Sequence, residues 1–359
     1  VGNIAQVISG TNFVAGFYEI VSVVVGTSIT FGTNGAGTSI CSGAGSAGVI
    51  NSGGGQTTLT KIGGTSTTAV TAGNLVVVRP GTYSLAANDT FAAIGTAALP
   101  IQIVGFNAVR PTLSTAGDGY NGRTGAKKNG PLDVSNMPLF SYAAGISVLI
   151  TGAYTYVRCL QFTGNRSGPL LTLSGSNAAC FALSVSNSST NTAVGGFSVG
   201  GSTAVECDVS LTGASGGATG YGIYITQGTA VSCRVTPGTT TAPAFLCNVS
   251  TRTSSIIRCL GFSGGGVGIS VTGTTTNLFV LNTTLTGFAS DAINIISTNT
   301  VLNVVANCLI TDNGGYGINA NSTSVGVLDV GNAMHNNTSG NRGSYAANWQ
   351  SWPLVSGQT

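Results

Sequence analysis

"SSIIRCLGFSGGGVGISVTG", residues 254–273, sets one cysteine in an apolar run, follows it with a glycine patch and closes on a second apolar run. The same phrase returns along the chain. "PLLTLSG", "GFSVGG", "GIYITQG", "AFLCNVS", "GISVTG", "AINIIST" and "GINANST" align so that Leu171, Phe197, Ile223, Phe245, Ile269, Ile293 and Ile318 share one column. The intervals are 26, 26, 22, 24, 24 and 25 residues. Two residues on lies a second column, Leu173, Val199, Ile225, Cys247, Val271, Ile295 and Ala320. Apolar residues at i and i+2 with small or polar residues between them describe a half-buried strand. A strand that recurs every ~25 residues, with glycine-rich turns and no helical period, stacks as a parallel β-solenoid. Each coil buries its inner face against the next, about 4.8 Å away.

The cysteines suggest a third column. Cys159, Cys180, Cys207, Cys233 and Cys259 are spaced 21, 27, 26 and 26 apart, Thr283 takes the next rung and Cys308 the one after. This reading places each of these cysteines at the inward point of a strand. Stacked side chains run parallel rather than at one another, so the column reads as a ladder of buried free thiols, not as a disulfide framework. An outward column, Asn282, Asn307 and Asn332, spaced 25 and 25, reads as an amide ladder along the solenoid axis.

Composition narrows the partners. The chain has 359 residues, of which 6% are charged and 42% hydrophobic, with 55 glycines and a net charge of +3. About 25% charge is usual, so this is a folded chain with a neutral, hydroxyl- and amide-rich surface. Scarce Lys and Arg leave no footprint for nucleic acid. No run approaches the ~18 apolar residues of a membrane helix. His335 is the only histidine and there is no CxxC, so no metal is expected. "GAGSAG", Gly43 to Gly48, fits the GxGxxG dinucleotide pattern but has neither the following helix nor the acidic residue ~20 positions on.

The phrase "AGNLVVVRPGTYSL", residues 72–85, resembles the first-coil strand and turn of the right-handed parallel β-helices of the pectate lyase-like superfamily. "LPIQIVGFNAVRPTL" then reads as the next strand of the coil. The resemblance covers roughly residues 70–340 and implies the fold alone. The superfamily includes pectate lyases, galacturonan hydrolases, phage tailspikes and surface adhesins, among which fold does not choose. Residues 1–65 do not follow the repeat and read as an N-terminal cap or entry segment. Residues 66–340 read as the β-helix with a loop insertion at 112–138, and residues 341–359, with both tryptophans, as a C-terminal cap.

Two groups of residues are candidates for chemistry. The insertion carries Asp118, Arg123, Lys127, Lys128 and Asp133, five of the chain's 21 charged residues, and reads as a ligand-contacting loop or a solvated excursion. In "VECDVS", an inward Cys207 would leave Glu206 and Asp208 together on the outer face. Asp208's column then places Arg234 one coil on, and Glu206's places Arg258 two coils on and Arg158 two coils back. Two such carboxylates are the minimum of a glycosidase pair; the alternative is a surface ladder of ion pairs, each worth ~0–1 kcal/mol. The lyases of the superfamily hold calcium with several carboxylates, and the hydrolases carry NTD-, DD- and GHG-like signatures, none of which occurs here. Calcium is therefore expected only on a lyase-like reading, and otherwise no cofactor.

The first reading is a non-catalytic or weakly catalytic β-helix outside a cell or on a virus particle, a tail appendage or adhesin that touches glycans or further copies of itself. "GTNFVAGFYEIVSVVVGTSITF" is similar to segments preceding β-helices in phage-like sequences. The alternatives are a polysaccharide lyase or glycosidase using Glu206, Asp208, Arg234 and Arg258, and a purely structural assembly subunit.

Overall fold

The computed structural model describes residues 4–24, 27–33, 37–52, 70–78, 81–105, 122–124, 130–135, 137–190, 193–213, 220–238, 241–248, 253–272, 277–296, 302–320, 326–343 and 348–352. Among them every regular element is a strand. One coil shows the plan: Thr203–Val205 lies in a first sheet, Asp208–Leu211 in a second and Tyr221–Thr226 in a third. Repetition builds parallel sheets of eleven, ten and ten strands. At about 4.8 Å per rung the longest stack runs about 48 Å.

The apolar columns set the register. In the third sheet Leu171 pairs with Phe197, Phe197 with Ile223, Ile223 with Phe245, Phe245 with Ile269, Ile269 with Ile293 and Ile293 with Ile318. All seven are fully buried. A one-residue slip would turn this whole set outward, so the core locks the coils. Tyr83, Phe140 and Phe162 add an aromatic stack, with centroids 5.3 and 5.7 Å apart. "LPIQIVGF" differs from its expected place: Ile101–Gly105 lies one coil on from Leu75–Val78 in the same sheet.

The corner between the first and second sheets turns on one residue per coil. Cys159, Ala182, Glu206, Ser232, Arg258, Asn282 and Asn307 all have φ between 52° and 59°. Each donates its backbone N–H to the next coil, as Glu206 does to Val231 O at 2.9 Å and Arg258 to Leu281 O at 2.8 Å. A left-handed residue costs a non-glycine side chain roughly 1–2 kcal/mol. Its recurrence shows that the stacked sheets hold the corner in this conformation.

The cysteine column needs correction. Cys207, Cys233, Cys259 and Cys308 share a column with Thr283, one residue after the left-handed position and in the turn rather than in a strand. Cys159 belongs to the left-handed column itself. Cys180 lies in strand Ala179–Phe181, opposite Val157 and Ala204. The real column selects a small donor. Cys259 Sγ reaches Ile257 O at 3.5 Å and Ala230 O at 3.4 Å, and Thr283 Oγ1 makes the equivalent bonds to Leu281 O at 3.1 Å and Ile256 O at 3.4 Å. All eight cysteines are free thiols. The asparagine column also shifts: Asn282 and Asn307 are left-handed corners, but Asn332 falls one position later, opposite Cys308, whose N–H its side chain accepts at 2.7 Å.

Residues 4–52 form a separate four-stranded antiparallel sheet, Ile4–Phe13, Gly16–Val24, Ser28–Phe31 and Cys41–Ser52. Ala5, Val7, Tyr18 and Ile20 are buried on it. At the other end, Asp329 is buried and takes Arg342 in an ion pair at 2.6 Å. Asn313 Nδ2 donates to Asn337 Oδ1 of the next coil at 2.7 Å.

Candidate functional site

The expected carboxylate pair does not share a face. Glu206 sits on the left-handed corner and Asp208 opens the second-sheet strand, buried beneath the insertion. Its two oxygens are engaged: Arg123 Nη1 donates to Oδ1 at 2.6 Å and Leu132 N to Oδ2 at 2.7 Å. Arg123 also donates to Gly130 O at 3.2 Å and, through Nη2, to Ser232 O at 2.9 Å. Leu132 and Met137 pack on Cys159 and Ala182, and Gln161 holds Val134 O and Met137 O at 3.0 and 2.7 Å. The described part of the insertion is thus a strap pinned across the corner, and Asp208 is its pin. Burial pushes the Asp208 carboxyl above its ordinary value, although Arg123 beside it pulls the other way.

Arg234 does lie one coil on from Asp208, and its guanidinium stacks over the Phe262 ring at 5.2 Å. Arg258 occupies Glu206's corner column two coils on. Arg158, by contrast, pairs with Phe181 in the first sheet, a position before that column. Of the insertion's candidates, Arg123 is buried in the strap. Asp133 is exposed and accepts from Ser135, whose hydrogen bonds hold its carboxyl below the ordinary value. Asp118, Lys127 and Lys128 lie outside the described residues. Among the described residues no three or more His, Cys, Asp or Glu side chains cluster to hold a metal ion.

A different face has the features of a binding surface. In strand Tyr221–Thr226 the buried residues Gly222 and Ile223 separate two outward tyrosines. A Cβ on Gly222 would meet Val235 Cγ1 at 2.3 Å, so glycine is what lets the strand lie this close to the core. Tyr221 and Tyr224 stand with ring centroids 5.0 Å apart and planes at 37°. Burial pushes the Tyr221 hydroxyl up to about 12 and raises that of Tyr224, whose hydrogen bond with Asn248 acts in the opposite sense. The outward row through Tyr224 reads Thr172, Ser198, Tyr224, Leu246, Ser270 and Asn294 along the axis. It offers three hydroxyls, one leucine and one amide beside an aromatic pair and no charge. The sequence contained the signal, two tyrosines in "YGIY", but the column alignment took only Ile223 and Ile225 from that phrase.

No family model matches the chain, and no curated protein matches it. Among solved structures, pectate lyase Pel9A superposes with a TM-score of 0.52 at 16% identity, over 76% of this chain and 70% of that one. The PL6 family polysaccharide lyase Pedsa3628 from Pseudopedobacter saltans gives 0.36 at 10% identity, over 77% of this chain and 90% of that one. The catalytic domain of a GH87 α-1,3-glucanase gives 0.37 at 11%, over 78% and 63%. At 16% identity the likeness to Pel9A is one of architecture: the chain has a three-sheet parallel β-helix fold similar to that of this pectate lyase.

Proposed function

We propose that this chain is a glycan-contacting β-helix module, of the tail-appendage or adhesin type, displayed outside a cell or on a virus particle. The observation that carries the reading is the outer face of the third sheet, where Tyr224, with Tyr221 beside it, stands in a row of mostly hydroxyl and amide side chains. Aromatic faces stack on sugar rings, and neutral hydrogen-bonding groups read their hydroxyls. A catalytic reading, as a lyase or glycosidase, finds less support, because Asp208 is engaged by Arg123 and Leu132 N.

The test is affinity electrophoresis on a panel of plant, algal and bacterial surface polysaccharides, run beside assays for reducing ends and unsaturated products. Retardation by at least one polymer, lost in Tyr221→Ala/Tyr224→Ala, supports the reading. Polymer cleavage that disappears in Glu206→Ala/Asp208→Ala would replace it with the enzyme.

One observation favours a second role in assembly. Val205, Val231, Ile257, Leu281, Ala306 and Val330 stack in register on the outer side of the first sheet, half-buried. Outward positions of a solvated sheet are usually polar, and apolar patches of this kind often mark contacts between proteins. Sedimentation velocity at rising concentration separates an oligomer through this flank from a monomer, with Leu281→Lys as the disrupting variant.

A further inference from the structure

The tyrosine face has a cation beside it. Arg166 lies in the turn that leads into strand Gly168–Leu173, on the side of the tyrosines: Pro169 of that strand pairs with Gly195, and Gly195 pairs with Tyr221. Asn187, fully buried, holds this turn from beneath. Its Oδ1 accepts Arg166 N at 3.1 Å, and its Nδ2 donates to Arg166 O at 2.9 Å and Gly195 O at 2.6 Å. One side-chain amide therefore fixes both backbone groups of Arg166. The guanidinium itself is little engaged, with Nε donating to Ser167 O at 3.3 Å. Among the described residues no carboxylate pairs with it. Arg123 and Arg342, in contrast, are each committed to a buried carboxylate.

From this arrangement, and resting on the glycan reading above, we infer that the site binds an anionic sugar. One tyrosine face carries the sugar ring, and the Arg166 guanidinium meets a carboxylate or sulfate on the same or the adjoining residue. A planar guanidinium can take two oxygens of such a group at once, and a backbone fixed in advance leaves less freedom to lose on binding. Arg166 is the group that would separate an acidic glycan from a neutral one of the same backbone.

The experiment measures Kd by titration calorimetry for three probes: polyuronate oligomers, the same oligomers with their carboxyls reduced to alcohols, and sulfated galactan oligomers. The expected result is a preference of roughly 10- to 100-fold for an acidic probe over the reduced one, the size of a charged hydrogen bond. Arg166→Gln should erase that preference, and salt should weaken only acidic binding. A preference for the sulfated probe over the polyuronate supports the inference and names the anion. Equal binding of acidic and reduced oligomers, unchanged in Arg166→Gln, overturns the inference and leaves the glycan reading intact. Binding of none of the three overturns the inference, and the glycan reading is then decided by the electrophoresis panel. Should Arg166→Gln fail to fold, the salt series on the unaltered protein decides, since parallel curves for acidic and reduced oligomers refute the role of the arginine.

Discussion

Removing Asp208 should release the strap, and the cost can be worked from its surroundings. The Arg123–Asp208 contact is 2.6 Å, with side-chain exposures of 8% and 11%. At an effective dielectric near 20, a pair of charges about 4 Å apart attracts by roughly 4 kcal/mol. Desolvation offsets much of that, which is why the Asp208 carboxyl is raised rather than lowered. Deleting one partner leaves the other buried and uncompensated, at about 3–5 kcal/mol. Arg123 keeps its bonds to Gly130 O and Ser232 O, so Asp208→Ala should cost about 3 kcal/mol, near the lower end of that range. Replacing both by apolar residues, Arg123→Met with Asp208→Leu, should cost about 1 kcal/mol or less. Urea titrations of the two singles and the double give the coupling energy, and amide exchange at residues 130–137 shows whether the strap is what opens. The sign of the pH dependence is a further check. A carboxyl raised in the folded state contributes stability that is present below its unfolded value of 3.8 and is lost as pH rises through the raised value. The stability of the unaltered protein relative to Asp208→Asn should therefore grow on acidification, opposite to an exposed salt bridge. Single-variant costs under about 1 kcal/mol, or singles that simply add, would refute the pin.

Three further outcomes follow from the packing. Because Thr283 makes the same two bonds as the cysteines of its column, Cys233→Thr should cost less than about 1 kcal/mol, while Cys233→Leu should overpack by about 1–3 kcal/mol; urea midpoints distinguish them. Arg258 holds φ 53°, so Arg258→Gly should raise stability by up to about 1 kcal/mol and Arg258→Val should lower it, read as melting temperature. Seven of the eight thiols are buried, and burial pushes Cys247 up to about 12 and Cys308 up to about 11, so an aromatic disulfide reagent should titrate at most Cys41 in the native protein and eight thiols in guanidinium.

The repeat was legible because its signal is strong and local. An apolar pair two residues apart, at 22 to 26 residue intervals, has one stable packing, and the third-sheet register of Leu171 through Ile318 follows it at every step. The cysteines misled because spacing alone does not separate neighbouring columns. Cys159 and Cys207 differ by one position in the turn, yet one sits at φ 59° and the other points a thiol at the core. A buried Cys reads equally well as a small hydrophobe or as a donor, and only Thr283 on the same rung shows that the column selects a γ-donor to two carbonyls. The same ambiguity hid the role of Asp208. Alternation put it outward beside Glu206; it does point outward, but Glu206 turns away on the corner, and a segment 76 residues earlier in the chain covers the outward side of Asp208. No local pattern reports a partner so distant. The insertion was visible as a break in the repeat with two Asp, one Arg and two Lys, and it was the charge of Arg123, read as a ligand contact, that marked where the strap is fastened. In a chain with so few charges, a buried ion pair shows which distant segments are held together, whereas Arg166, free of any carboxylate among the described residues, marks where the surface is ready for a partner.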